Sequence, residues 1–177
     1  MELYFGMELP QKVIDCFLSV PKEQFGFHKD TNFTVEEIIE YIKQACLAGK
    51  IYIVYDREVI LLFTDQTPYV LRMDSLRGEN STIFDYIKVI NKVVKLFTEK
   101  TVIHKIETRT PFTDLAILAK RYKWKHEGTH EESYQMPDGS FVNELSFGLI
   151  LHRSLEQKRK AEDNMNANLT KIMRGEY

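Results

Sequence analysis

Cysteine is nearly absent: 177 residues hold two, Cys16 and Cys46, with no C-x-x-C pair. Both stand in apolar stretches (Asp15-Cys16-Phe17 and Ala45-Cys46-Leu47), which excludes a disulfide framework and leaves buried thiols in a reducing compartment. Long hydrophobic runs are absent as well. Nothing approaches the roughly 18 apolar residues of a membrane-spanning helix. The opening "MELYFGMELP" has neither a basic start nor a long apolar stretch, so no signal peptide is expected there. Charge of one sign is lacking too, the formal net charge being -2, and no global positive field marks the chain for nucleic acid. There is no G-x-S-x-G, no H-E-x-x-H, no G-x-x-x-x-G-K-[ST] and no paired-carboxylate motif, which leaves nucleophilic catalysis and nucleotide hydrolysis without support. No internal repeat or low-complexity linker interrupts the chain. The expectation is a cytoplasmic protein, or one assembled into a particle in a cytoplasm.

What is present suits one globular domain: 44% hydrophobic and 28% charged residues, over a length that supports a sizeable core. Residues 1–33 are the least readable, with "KVIDCFLSV" as a short buried helix. From Thr34 the signals sharpen. Thr34 and Glu37 have capping-box spacing, and Val35, Ile38, Ile39, Ile42 and Cys46 share a helical face up to Gly49. "KIYIVYD", "EVILLFTD" and "PYVLRMD" are β-rich runs with short polar separators, an antiparallel meander. A second helix carries Ile83, Ile87, Ile90, Val94 and Phe97 as the stripe expected to bury against a sheet. "TVIHKIETR" is a further strand, and Thr110-Pro111 opens the helix "FTDLAILAKRY". A helical crossover between strands of one sheet makes them parallel. A long hairpin turning at Pro137-Asp138-Gly139 ends the domain.

This order, closing in "LAILAKRYKWKHEGTHEESYQMPDGSFVNELSFGLIL", resembles the GNAT superfamily of N-acetyltransferases, and most of all its ribosomal-protein branch, over residues 34–151. Trp124, the pair Glu127-Gly128, the turn Asp138-Gly139 and Phe147 carry the likeness. The resemblance implies an α/β fold in which a mostly antiparallel mixed sheet is flanked by helices. Acetyl-CoA would lie in a splayed gap between the family's fourth and fifth strands, its pyrophosphate on the amides of a strand-to-helix turn. Such a turn needs bare backbone N–H groups at a helix start and glycines for close approach.

The family's turn is Arg or Gln, two variable residues, Gly, one variable residue, then Gly or Ala. Here it is Arg77-Gly78-Glu79-Asn80-Ser81-Thr82: Asn80 replaces a glycine, Thr82 replaces the small residue, and Glu79 adds a carboxylate where phosphates would sit. Two unit charges about 4 Å apart repel by roughly 1–4 kcal/mol. The same residues also cap a helix unaided, Thr82 and Asp85 having capping-box spacing. If acetyl-CoA binds, Arg77, Gly78, Asn80, Ser81 and Thr82 are the candidate cofactor residues.

The family's helix Asn and general-acid Tyr fall near Phe112 and Ala119, neither of which moves a proton, while Tyr122 is expected on another helix face. Asp74 and Glu107 are the candidate bases, with His104 beside them. His126, His130 and Glu131 are the metal candidates, the two histidines sharing a face of their strand with no firm third ligand; an exposed polar strand face explains them better, and no metal is expected. "KRYKWKH", Lys120 to His126, mixes basic and aromatic residues as single-strand binders do, but reads better as a helix end and its packing anchor.

Residues 153–177 form a polar C-terminal extension, read as an added helix beyond a domain of residues 1–152. Leu155, Ala161, Met165, Leu169, Ile172 and Met173 fall near one helical face too thin for a core of its own, and are candidates to bind a protein partner or a second copy. The leading expectation is a GNAT-fold protein with a degraded acetyl-CoA site, acting as a binding or assembly component. In this it looks like acetyltransferase-fold internal virion proteins of tailed phages, an analogy without a shared motif. The alternatives are an active acetyl-CoA-dependent N-acetyltransferase and a phage or mobile-element effector that binds a host protein.

Overall fold

Both faces of the central strands are apolar, so the sheet has to be covered twice. In β2 (Tyr52–Asp56) Ile53 faces one core and Val54 the other; in β3 (Val59–Thr67) the same holds for Ile60 and Leu61. The computed structural model describes residues 1–25, 33–136 and 138–151. Over these residues the further elements are β1 (Glu2–Tyr4), α1 (Gln11–Ser19), α2 (Val35–Leu47), β4 (Val70–Arg77), α3 (Ile83–Lys100), β5 (Lys105–Thr110), α4 (Thr113–Arg121), β6 (Lys125–Gln135) and β7 (Phe141–Ile150). The strands form one mixed sheet in the order β1-β2-β3-β4-β5-β7-β6, parallel only between β4 and β5.

One core joins α1 and α2 to the sheet through Val13, Cys16, Phe17, Ile39 and Cys46. The other joins α3 and α4 through Val89, Val93, Ala116, Trp124 and Phe147. Both cysteines are free and buried, as their neighbours suggest. Burial pushes the Cys16 thiol up to about 11, with the Glu58 carboxylate adding to the rise.

Two local expectations are corrected. The deepest face of α3 is Tyr86, Val89, Val93 and Phe97; Ile83, Ile87, Ile90 and Val94 stay half-buried, because the helix is apolar over a wider arc than the sheet covers. α4 begins at Thr113 with Phe112 at its N-cap; Thr110 belongs to β5 and uses its hydroxyl to accept the Phe112 N–H. β1, which the sequence left unread, pairs with β2 at the sheet edge. The extension 153–177, with Leu155, Ala161, Met165, Leu169, Ile172 and Met173, lies outside the described residues, as does Pro137.

Candidate functional site

β4 and β5 part company halfway along. They pair from Val70 with Lys105 to Met73 with Thr108; beyond that β4 runs on to Arg77 beside β3, and β5 to Thr110 beside β7. The wedge opens toward α3 and α4. Met73, Ser75 and Thr108 to Thr110 line its floor, Ile87, Ile90 and Asn91 one wall, and Leu115, Leu118 and Tyr122 the other, around a cavity of about 50 Å3. That is space for a few water molecules. Tyr86 enters it from α3, its hydroxyl 3.4 Å from the Ser75 hydroxyl. Burial pushes the Tyr86 phenol up and keeps it protonated. Tyr122 and Ala119 both line the cavity, so the expected turning of Tyr122 to another face is not seen.

At the mouth of the wedge is the turn into α3, and the N–H groups of Gly78, Asn80, Ser81 and Thr82 are engaged from within the chain. Gly78 N–H donates to the Glu58 carbonyl (2.8 Å) and Ser81 N–H to the Gly78 carbonyl (3.1 Å). Asn80 N–H donates to the Glu58 carboxylate at 3.2 Å, and the Asn80 side-chain amide reaches its other oxygen at 3.5 Å. Thr82 and Asp85 form a reciprocal capping box, each side chain accepting the other's N–H at 3.2 Å. The Thr82 hydroxyl and N–H hold the Asp85 carboxyl below its ordinary range. Glu79 is exposed, so the repulsion expected of it is largely spent in solvent; Glu58 is the carboxylate at the turn.

Glu58 arrives there through a strained hairpin. Arg57 and Glu58 link β2 to β3 with φ of 54° and 56°, a two-residue turn for which Asn and Gly are the usual occupants. Each left-handed side-chain-bearing residue costs about 1–2 kcal/mol. The turn also lacks space: a Cβ on Gly78 would lie 3.0 Å from the Ser19 hydroxyl, 3.1 Å from the Cys16 sulfur and 3.1 Å from Glu58 Oε2. Gln24 closes the last open part of β4, donating to the Arg77 carbonyl at 3.1 Å and accepting the Arg77 N–H at 2.8 Å. In this arrangement the residues of the turn do not fit a diphosphate, since Glu58 and Asp85 already hold the amides of Asn80 and Thr82.

The two candidate bases lie on the other side of the sheet. Asp74 alternates with Met73 and Ser75 and is 3.4 Å from Arg72; Glu107 pairs with Lys105 at 2.7 Å. Glu127 joins Lys105 at 2.8 Å, crossing β7 where Gly148 leaves room, because a Cβ there would stand 2.6 Å from Glu127 Oε1. The hydrogen bonds that the Lys105 ammonium donates to Glu107 and Glu127 push its pKa up. Asp74 and Glu107 therefore share a charged face that the cavity does not reach. His126 and His130 do not share a face: a bulge between His126 and Gly128 sets His126 against Phe147 while His130 bonds Ser146, the next residue on the opposite side. No group of three metal-ligating side chains forms among the described residues, and no helix among them is long and apolar enough to cross a membrane.

Glu58, Gln24 and Tyr86 were not singled out from the sequence. In the sequence Asp56-Arg57 reads as a separator between strands and Glu58 as the first residue of "EVILLFTD", and contacts across 22 and 53 residues leave no local signal.

This topology, with one parallel pair that opens beside a strand-to-helix turn, is the GNAT fold. No family profile and no curated protein sequence matches the chain, but solved structures do. An N-acetyltransferase from Staphylococcus aureus Mu50 superposes with a TM-score of 0.60 at 10% identity, covering 85% of this chain and 98% of that one. A mutant of a spermidine N-acetyltransferase from Vibrio cholerae gives 0.61 at 11% identity, covering 85% and 93%. An acetyltransferase from Salmonella typhimurium that modifies the N-terminal serine of a 50S ribosomal subunit protein gives 0.61 at 13%, covering 85% and 94%. At such identities the likeness speaks for the fold alone.

Proposed function

We propose that this chain is a GNAT-fold protein that no longer transfers acetyl groups and works as a binding or assembly component. One observation supports this above the others: the amides of Asn80 and Thr82, which in an acyl-CoA enzyme would face the pyrophosphate, are held by the chain's own Glu58 and Asp85. An incoming diphosphate would have to displace one carboxylate and stand close to the other. The separation of Asp74 and Glu107 from the cavity points the same way. Thermal unfolding with and without CoA and acetyl-CoA tests the proposal. A ligand at about 100 times its dissociation constant adds roughly 2.7 kcal/mol, which raises the midpoint of a domain this size by about 5–10 °C. The proposal expects no shift at millimolar ligand. The assembly role, extending to incorporation into a phage particle, is tested by whether the chain co-purifies with assembled particles at fixed stoichiometry.

A second reading is favoured by the wedge itself, which stays open and keeps a cavity between α3 and α4. On that reading the chain is an acetyl-CoA-dependent N-acetyltransferase in which Glu58 withdraws, Arg77, Gly78, Asn80, Ser81 and Thr82 take the pyrophosphate, and Asp74 or Glu107 is the base. A midpoint shift of the size given above decides for it.

A further inference from the structure

α3 is apolar beyond the face that the sheet buries. Tyr86, Val89, Val93 and Phe97 are buried against the strands; Ile83, Ile87, Ile90 and Val94 are half-buried, and of these Ile87 and Ile90 line the groove. Phe84, one turn before Ile87, is 70% exposed. Across the groove stand Leu115, Leu118 and Tyr122. A helix that is apolar over so wide an arc is expected to be covered by something.

We propose that the chain's own C-terminal segment, residues 153–177, docks in the groove between α3 and α4 with Met165, Leu169, Ile172 and Met173 against it. Where the described chain stops selects this occupant. Leu151 is buried in the same core as α3 and α4, and its N–H donates to the His104 carbonyl at 2.8 Å, so the described chain stops beside the start of β5, on the side of the sheet that α3 and α4 cover. The groove floor lies at Thr108 to Thr110, about 10–17 Å along β5 from Lys105 at strand rise. Residues 152–177 number 26, and even as continuous helix they would span about 39 Å, enough to reverse and run its full length. Spacings of four and three from Met165 to Leu169 and Ile172 put those side chains on one helical face. Tethering also favours this occupant over a free one, since a linked segment acts at an effective concentration on the order of millimolar. The inference rests on the reading that the groove holds no acyl-CoA, because segment and cofactor would need the same walls.

Two measurements on the full-length chain test it. Trp124 is the only tryptophan and lines the groove, so its emission reports on what covers the cavity. With Leu169→Asp and Ile172→Asp together, the emission should shift to the red and acrylamide quenching should rise at least twofold, the far-ultraviolet dichroism of the domain being kept. In the second, Asn91→Cys is combined in turn with Asn164→Cys, Asn166→Cys or Asn168→Cys; Cys16 and Cys46, buried and with raised thiol pKa, do not compete. At least one pair should form an intrachain disulfide in a monomer. Disulfide-linked dimers would assign the groove to a second copy, and no disulfide with unchanged Trp124 emission would leave the segment elsewhere; either result overturns the proposal. A CoA-induced rise in the midpoint of the unaltered chain would instead overturn the functional reading, whatever Trp124 reports.

Discussion

α2 and α3 begin in the same way. At α2 the Thr34 hydroxyl accepts the Glu37 N–H at 3.2 Å and the Glu37 carboxylate accepts the Thr34 N–H at 2.7 Å; at α3 Thr82 and Asp85 do the same. The surroundings differ. The α2 start is led in by an exposed Phe33, whereas the α3 start is approached by a buried Gly78, gripped by Glu58 from the β2–β3 hairpin and braced by Gln24 after α1. So the helix start that this fold would offer to phosphates is closed by the same device as one with no such place in the fold. What sets it apart is the number of elements that converge on it, and those elements bring a carboxylate.

The comparison breaks first at Gly78. Replacement by Ala should force Ser19, Cys16 and Glu58 to shift, costing about 1–2 kcal/mol and lowering the unfolding midpoint by about 2–8 °C; an unchanged midpoint would mean that the loop is not packed. Next, Thr34→Ala and Thr82→Ala should each cost about 1 kcal/mol, and chemical denaturation should give values within a few tenths of each other. A far larger loss at Thr82 would show that the two starts are not equivalent. Arg57→Asn should stabilise by about 0.5–1 kcal/mol through relief of its left-handed backbone, seen as a midpoint higher by about 1–4 °C. The smallest effect concerns acid. The Asp85 carboxyl is held below its ordinary 3.8 by the Thr82 hydroxyl and then the Thr82 amide, so its contribution is complete above about pH 4 and is lost as pH falls through the depressed folded value. Asp85→Asn should flatten the stability profile below about pH 4 and lower stability at pH 7.

Much of the fold was legible because its signals are local. The Thr34 and Thr82 boxes, the meander from Tyr52 to Arg77 and the closing hairpin all follow from spacing within a few residues. Trp124 was readable as a packing anchor for a similar reason, standing just past a helix end rich in lysine. The face of α3 was misjudged because its stripe beginning at Ile83 is as apolar as the one beginning at Tyr86, and only the position of the sheet chooses between them. The histidine pair was misjudged because one extra residue in β6 reverses the alternation, and a bulge leaves no mark in composition. The turn was legible as a poor phosphate loop, through Asn80 and Thr82, but not as an occupied one. Glu58 is 22 residues from Asn80 in sequence, and only the folded hairpin brings them together.

The central claim, that the turn into α3 is satisfied from within, is tested most directly by amide NMR of residues 78–82 in the full-length protein. The account predicts that millimolar CoA leaves the Gly78, Asn80, Ser81 and Thr82 resonances in place, and that Glu58→Gln moves the Asn80 amide most of the five. Resonances that shift together on adding CoA while ignoring Glu58→Gln would contradict it, and would show a turn open to the cofactor.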